Sequence, residues 1–510
     1  MSLVRCCLAL ALCFLALPAL AQAPKISTAA TARVQTQGDA PVFVLLNTSG
    51  SGASARDVAA ARLHPQVRLE VDRVLTTLPK GAQTRVLRRY QHVPGFALRA
   101  DAATLAALAR DPRVARVDLD QGGSGGAIEP DNALALNNLH ELAGAGYSGA
   151  GMKVAVIDTG IDTDHADFAG RIVGQACFCS GGGSGCCPNG SASQSGVGAA
   201  EDDHGHGTNV AGIIGGNGTV APRGALPQVS LVAVKALDRD NRFCCTADIV
   251  AALDWLASNH PDVDAVNLSL GTDAQYAGDC DGATSWTQAL AVAIGNLNAL
   301  GAVVTVSSGN QGSLNAMAAP ACVRNAVATG ATWDFNGGAI AYLGCSETST
   351  APLQPTCFAN RSATTDLFGA SAFVTAAGIN GGSSTYGGTS QAAPQACACA
   401  AALKQAAPTS TVAQRMDAMA LSRTRIQDPA SGRSYPLLDC RDAFGLLNPE
   451  VFGPIAMNGS QPLIPPADPP AGLLAAPKPA PLPASQPATP RTTPARESRE
   501  PRARGALRLR

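Results

Sequence analysis

Val154-Ala155-Val156-Ile157-Asp158-Thr159-Gly160-Ile161-Asp162 opens with four consecutive apolar residues and ends in a glycine flanked by two aspartates. A strand with one wet face alternates apolar with polar residues. An unbroken apolar run suits a strand covered on both faces, as in a parallel sheet. Similar runs recur at residues 231–234, 265–268 and 302–306, with helical stretches such as 249–256 and 286–300 between them. Strands alternating with helices predict an α/β fold, a parallel sheet with helices on both faces. In such folds functional groups collect at the carboxyl ends of the strands, where Asp158 stands.

Upstream the rhythm changes. Residues 42–46 read as a strand, and Val67, Val71, Val74, Leu75 and Leu78 have helical spacing. Two short apolar runs follow, around Val86 and Phe96. Residues 104–110 read as a second helix with Asp101 as N-cap, and 114–119 as a last strand. The order β-α-β-β-α-β fits a small ferredoxin-like α+β unit over 41–120. Residues 24–40 are polar and read as loose. Gly122-Gly123-Ser124-Gly125-Gly126 reads as a flexible linker.

Of 510 residues, 37 are Lys or Arg and 38 Asp or Glu, a net charge of −1. That balance excludes a chain-wide attraction to nucleic acid or anionic membrane. Aromatics at 4% do not suit stacking platforms for bases or sugars. Arg5, the apolar run 8–20 and Ala21-Gln22-Ala23 read as a cleaved signal peptide over 1–23. The run is shorter than the roughly 20 residues that span a bilayer, and no later segment is long and apolar enough. Export follows, to the cell surface, periplasm or medium. Cys6, Cys7 and Cys13 leave with the signal. Thirteen cysteines then remain of 16 in an oxidising compartment, so at least one stays unpaired. Residues 452–510 hold 14 of the 34 prolines, and the last 20 residues carry seven Arg against two Glu. They read as a disordered, basic, polyproline-like tail.

Four motifs carry chemistry. Asp158 ends a buried strand and keeps its charge there only if hydrogen bonds hold it; the alternative is a loop aspartate starting a turn. Asp203-His204-Gly205-His206-Gly207-Thr208 leads into a small-residue helix, where a histidine suits a general base. The alternative is metal held by His204 and His206 with Asp202 or Asp203. Gly387-Gly388-Thr389-Ser390-Gln391 puts Ser390 at a helix N-terminus, where N–H groups and the dipole favour developing negative charge; the alternative is an ordinary N-cap. In Val306-Ser307-Ser308-Gly309-Asn310 a strand delivers Asn310 into a turn, which asparagine also favours on its own account.

Taken in order, these motifs resemble the subtilisin-like serine proteases over about residues 150–450. Further matches lie at Val220-Ala221-Pro222, Val234-Lys235 and Asn267-Leu268-Ser269-Leu270-Gly271. The preceding unit, with Tyr90, Val93-Pro94-Gly95-Phe96 and Asp111-Pro112-Arg113-Val114, looks like the inhibitory propeptide of such enzymes. The resemblance implies a subtilisin-like parallel sheet preceded by a ferredoxin-like propeptide domain. The implied layout is a propeptide over 24–126, a catalytic domain over 127–451 and the tail.

The resemblance also implies Ser390 as nucleophile, His206 as base, Asp158 as its orienting partner and Asn310 as oxyanion donor. Ser269, Leu270 and Gly271 form one substrate edge, and Arg242-Phe243-Cys244 the opposite one. Ser307, Ser308 and Gly309 wall the primary pocket, whose base falls near Ala318. With no acid there, the pocket should take medium or large apolar side chains. The implied activity is that of a secreted endopeptidase that cuts its own propeptide, works as a monomer and needs no cofactor for the chemistry. The rival class is a catalytically idle or self-processing interaction or adhesion protein on the same fold.

Asn209 and Gln391 depart from the family's usual His and Met. Asp167 matches one ligand of the family's calcium loop, but residues 212–220 are too short to supply the rest. Any structural calcium would therefore bind elsewhere, at a site the sequence does not identify. Cys177, Cys179, Cys186 and Cys187 suit bridges better than a zinc site. Cys397 and Cys399 read as buried free thiols.

Overall fold

The computed structural model describes residues 25–47, 67–120, 123–124 and 133–447. Residues 1–23 and 452–510, expected as signal peptide and tail, and most of the Gly-rich stretch 122–126, expected as linker, lie outside the described residues.

An eight-stranded sheet forms the centre. Its order is Leu367–Ala370, Val327–Thr332, Val303–Ser307, Ala265–Leu268, Lys153–Asp158, Ser230–Lys235, Ile172–Phe178 and Ser193–Ser195. The first seven strands are mutually parallel, and the last is antiparallel to its neighbour. Every residue of 265–268 and 303–307 is buried. Alternate side chains serve two cores. Ala155, Ile157, Val232, Val234, Val304 and Val306 pack with helices Thr246–Asn259 and Ser285–Ala299. Val154, Val156, Leu231, Ala233 and Val303 pack with helices His206–Gly215 and Thr389–Ala406. Coverage on both faces is what the continuous apolar runs require.

The N-terminal unit has the order expected. Strands Asp39–Leu46, Val86–Arg89, Gly95–Asp101 and Val114–Leu119 form one sheet, in spatial order 86–89, 95–101, 39–46, 114–119. Helices Val67–Leu75 and Ala102–Arg110 cover one face, and Asp101 caps the second by accepting from Thr104 N. Residues 25–40 differ from the loose segment expected over 24–40. Thr28–Gln37 is a helix capped by Ser27, with Ala30 and Val34 buried, and Ile26 bridges Val117. Only two inward apolar residues anchor it, too few to register as a period.

The opposite face of this sheet packs on the main unit. Phe43, Tyr90, Val93 and Ala97 belong to the same buried cluster as helices 246–259 and 285–299. Carboxylates finish the contact. Asp118 Oδ2 accepts from Ser285 N at 2.6 Å, and Asp120 accepts from the Thr246 hydroxyl and Ala247 N. Each meets N–H groups that have no partner within the helix, at its positive end. In return, Asp254 accepts from Gln91 N and His92 N at 2.6 and 2.9 Å.

Six disulfides occur among the described residues: Cys177–Cys187, Cys179–Cys186, Cys244–Cys245, Cys280–Cys322, Cys345–Cys357 and Cys399–Cys440. The 177–187 cysteines bridge, as expected. Cys397 is free and buried, but Cys399 is not a free thiol. Two residues along a helix turn the side chain by about 200°, so the neighbours face different elements. Cys399 meets the C-terminal helix Cys440–Leu447.

Candidate active site

Asp158 is the last residue of its strand and is fully buried. Its Oδ1 accepts from Thr159 N at 2.7 Å and lies 2.7 Å from His206 Nδ1. His206 begins helix 206–215, and its side chain is also fully buried. The approach depends on glycine at 207: a Cβ there would sit 2.1 Å from the Gly160 carbonyl oxygen and 3.0 Å from Asp158 Cβ. Asp202 fixes the start of this helix by accepting from His204, Gly205 and Thr208. Tyr386 lies edge-on to the His206 ring, centroids 5.7 Å apart. Burial pushes the His204 imidazole pKa down.

Ser390 is the second residue of helix 389–406, which follows Gly388. Its hydroxyl donates to the Ser269 carbonyl at 3.2 Å, and the Ser269 hydroxyl donates to the Ser390 carbonyl at 2.6 Å. His206 Nε2 is buried with no hydrogen-bond partner among the described residues. The structure thus joins Asp158 to His206 and Ser390 to Ser269, with no Ser390–His206 hydrogen bond.

Asn310 follows strand 303–307. Its Oδ1 accepts from Thr389 N at 3.1 Å and from the Thr389 hydroxyl at 2.8 Å. With the oxygen engaged, the amide nitrogen is left to donate, and it lies 3.2 Å from where a Cβ on Gly388 would be. Thr389, which sequence reading passed over, sets the orientation of Asn310; the Thr in the G-T-S run was the available signal.

The residues expected at the substrate edge and pocket are tied down by hydrogen bonds, one of them joining the two sets. The Ser307 hydroxyl donates to Leu270 O at 3.2 Å, that of Ser308 to Asn360 O at 2.7 Å, and Gly309 N to the Thr389 hydroxyl at 3.2 Å. Ala318 lies close to both Gly271 and Gly309, its Cβ 2.8 and 3.3 Å from where side chains on them would begin. Gly123–Ser124 lies as a middle strand, antiparallel to both Arg242–Phe243 and Gly271–Thr272. Residues 123–124, expected as linker, thus pair with both segments expected as substrate edges.

The family pattern described as "Subtilase family" matches residues 149–436. The chain belongs to the subtilase family. The pattern described as "Peptidase inhibitor I9" matches residues 49–122. Relatives include the "Extracellular serine proteinase" of Thermus sp. strain Rt41A, 31% identical over 71% of this chain and 81% of that protein. "Subtilisin E" of Bacillus subtilis strain 168 is 28% identical over 67% of this chain and 78% of its own length. A solved cold-adapted subtilisin-like serine proteinase matches 57% of this chain and 90% of its own, at 24% identity and TM-score 0.43. This subtilase is a subtilisin-type serine peptidase preceded by an inhibitor-type propeptide domain.

Within this subtilase the two departures from the family pattern meet each other. Gln391 Nε2 donates to Asn209 Oδ1 at 3.4 Å, and Asn209 Nδ2 donates to Ser384 O at 2.9 Å. Structural calcium is common in the family. At Asp167 the residues do not fit it: Oδ1 accepts from Thr219 N and Val220 N at 2.7 and 2.8 Å, and Oδ2 from Ala221 N at 3.1 Å. N–H donors occupy the oxygens a cation would need. Asp162, Asp164 and Glu201 bring carboxylate oxygens within 4.8 Å of one another, the hard oxygen set calcium takes. Among the described residues no helix is long and apolar enough to cross a membrane.

Proposed function

We propose that this subtilase is a secreted endopeptidase that cleaves proteins through an acyl-enzyme on Ser390 and removes its own propeptide. The observation that carries the reading is the buried Asp158–His206 pair at 2.7 Å, at the start of a helix that shares a buried core with the helix bearing Ser390 in its first turn. A serine hydroxyl is a poor nucleophile until a base takes its proton. Rotation of the Ser390 hydroxyl from the Ser269 carbonyl towards His206 Nε2 gives it that base. Catalytic hydrogen bonds commonly close only with substrate in place. Asp158 holds the Nδ1 proton and stabilises the imidazolium that forms.

The substrate carbonyl carbon is attacked by Ser390 Oγ. The negative charge on its oxygen is met by the Asn310 amide and the Ser390 N–H. His206 then passes its proton to the leaving amine, and water releases the acyl group by the same steps reversed. Ser269, Leu270 and Gly271 bind the peptide as an added strand. Ser307, Ser308 and Gly309 wall a neutral pocket for apolar side chains. In this reading 1–23 is removed on export, 24–126 is the inhibitory propeptide, 127–451 the working enzyme and 452–510 a tail.

Ser390→Ala is the decisive test. It should abolish hydrolysis of a chromogenic apolar peptide and leave a precursor containing the propeptide, read by intact mass. Normal maturation of that variant in a protease-deficient host would overturn the assignment.

A further inference from the structure

One ion pair joins the propeptide unit to the catalytic unit among the described residues: Arg88 Nη2 to Asp248 Oδ1, 2.6 Å. It is not a surface pair. The two side chains are 8% and 2% exposed. The same Arg88 nitrogen donates to the Ala192 carbonyl at 2.6 Å, and its guanidinium carbon lies 5.9 Å from the Phe178 ring centroid. That is cation–π range. Three pieces of the catalytic unit therefore converge on one side chain: the first turn of helix 246–259, the end of strand 172–178 and the segment before 193–195.

The walls are held independently of Arg88. Asp248 Oδ2 accepts from Ser180 N and from the Ser180 hydroxyl, both at 2.8 Å. Ser180 sits inside the loop closed by Cys177–Cys187 and Cys179–Cys186. Oδ1 is the oxygen given to Arg88. Burial pushes the Asp248 carboxyl pKa up, and the Arg88 charge is the largest influence pulling it back. Without a counter-ion, that buried carboxylate carries an uncompensated desolvation cost.

We infer that the catalytic unit carries a guanidinium socket, formed by Asp248, the Ala192 carbonyl and the Phe178 ring, which Arg88 fills in the precursor and which retards release of the cleaved propeptide. The inference rests on reading the N-terminal unit as an inhibitory propeptide. Vacated, the socket suits an arginine side chain of another polypeptide. A lysine ammonium has the charge but not the planar face that lies against an aromatic ring.

The test uses the full-length chain, allowed to process itself while activity on a chromogenic peptide is followed. The wild-type chain should show a lag as propeptide is released. Arg88→Ala should shorten that lag at least about tenfold, the effect of losing hydrogen bonds to a charged group, and Arg88→Lys should fall between the two. Ethylguanidinium should lengthen the Arg88→Ala lag, and ethylammonium should not. If Arg88→Ala does not accumulate, Asp248→Asn should give the same shortening and no response to ethylguanidinium. An Arg88→Ala lag equal to wild type, or equal rescue by both cations, overturns the socket. A wild-type chain with no lag at all would instead sink the inhibitory-propeptide reading beneath it.

Discussion

Asn310 shows how much one residue's role depends on its neighbour. Thr389 engages its Oδ1 twice, so only the amide nitrogen remains to face developing charge. That charge exists in the transition state and not in the bound substrate. Asn310→Ala should therefore lower kcat about 100- to 1000-fold, as loss of the equivalent donor does in subtilisin, with KM little changed. Steady-state kinetics on a peptide substrate check it; an unchanged kcat would reduce Asn310 to a turn residue. Asp158, His206, Asn310 and Ser390 stand out as candidates in the sequence because each sits in a short glycine-containing run, and at Gly207 close backbone approach forces the glycine. Gln391 and Asn209 were legible only as departures. Their contact spans 182 positions, and a single sequence carries no sign that they meet.

Among the elements, buried strands announced themselves because both faces are apolar. Helix 28–37 did not, since its stability comes from burying Ala30 and Val34 in the unit's core and not from its own period. The strand Gly123–Ser124 was expected as linker, and glycine-rich sequence gives no strand signal; its partners on either side make it one. That pairing fixes a register. Ser124 stands opposite Gly271 and Gly123 opposite Thr272. Ser269, whose carbonyl receives the Ser390 hydroxyl, lies two residues before Gly271. In an antiparallel pair, two residues back on one strand answers to two residues forward on the other. The count reaches Gly126, which lies outside the described residues. Cleavage is expected after Gly126, so the processed enzyme should begin at Ala127. N-terminal sequencing reads this directly, and a first residue upstream of Ser124 would show that the paired strand is not the substrate strand.

At the scale of the whole molecule, two units share one interface and depend on it unequally. The catalytic unit has two buried clusters around its sheet. The N-terminal unit has a single small core of its own, while Phe43, Tyr90, Val93 and Ala97 are buried in the cluster that contains the catalytic unit's helices. Alone, it would expose that apolar face and leave Asp118 and Asp120 without the helix ends they cap. A unit of this size with part of its apolar surface uncovered should be only marginally stable, and docking supplies the missing burial. Residues 24–126 expressed alone should therefore show weak cooperative unfolding, yet inhibit the mature enzyme when added in trans. The segment should include 24–40, because Ala30 and Val34 belong to its core. Circular dichroism with and without a Ser390→Ala catalytic domain would report the gain in structure. Initial rates on a chromogenic apolar peptide would report inhibition. If a stoichiometric excess leaves the rate unchanged while a serine-directed phosphonate still blocks it, the N-terminal unit does not inhibit this enzyme.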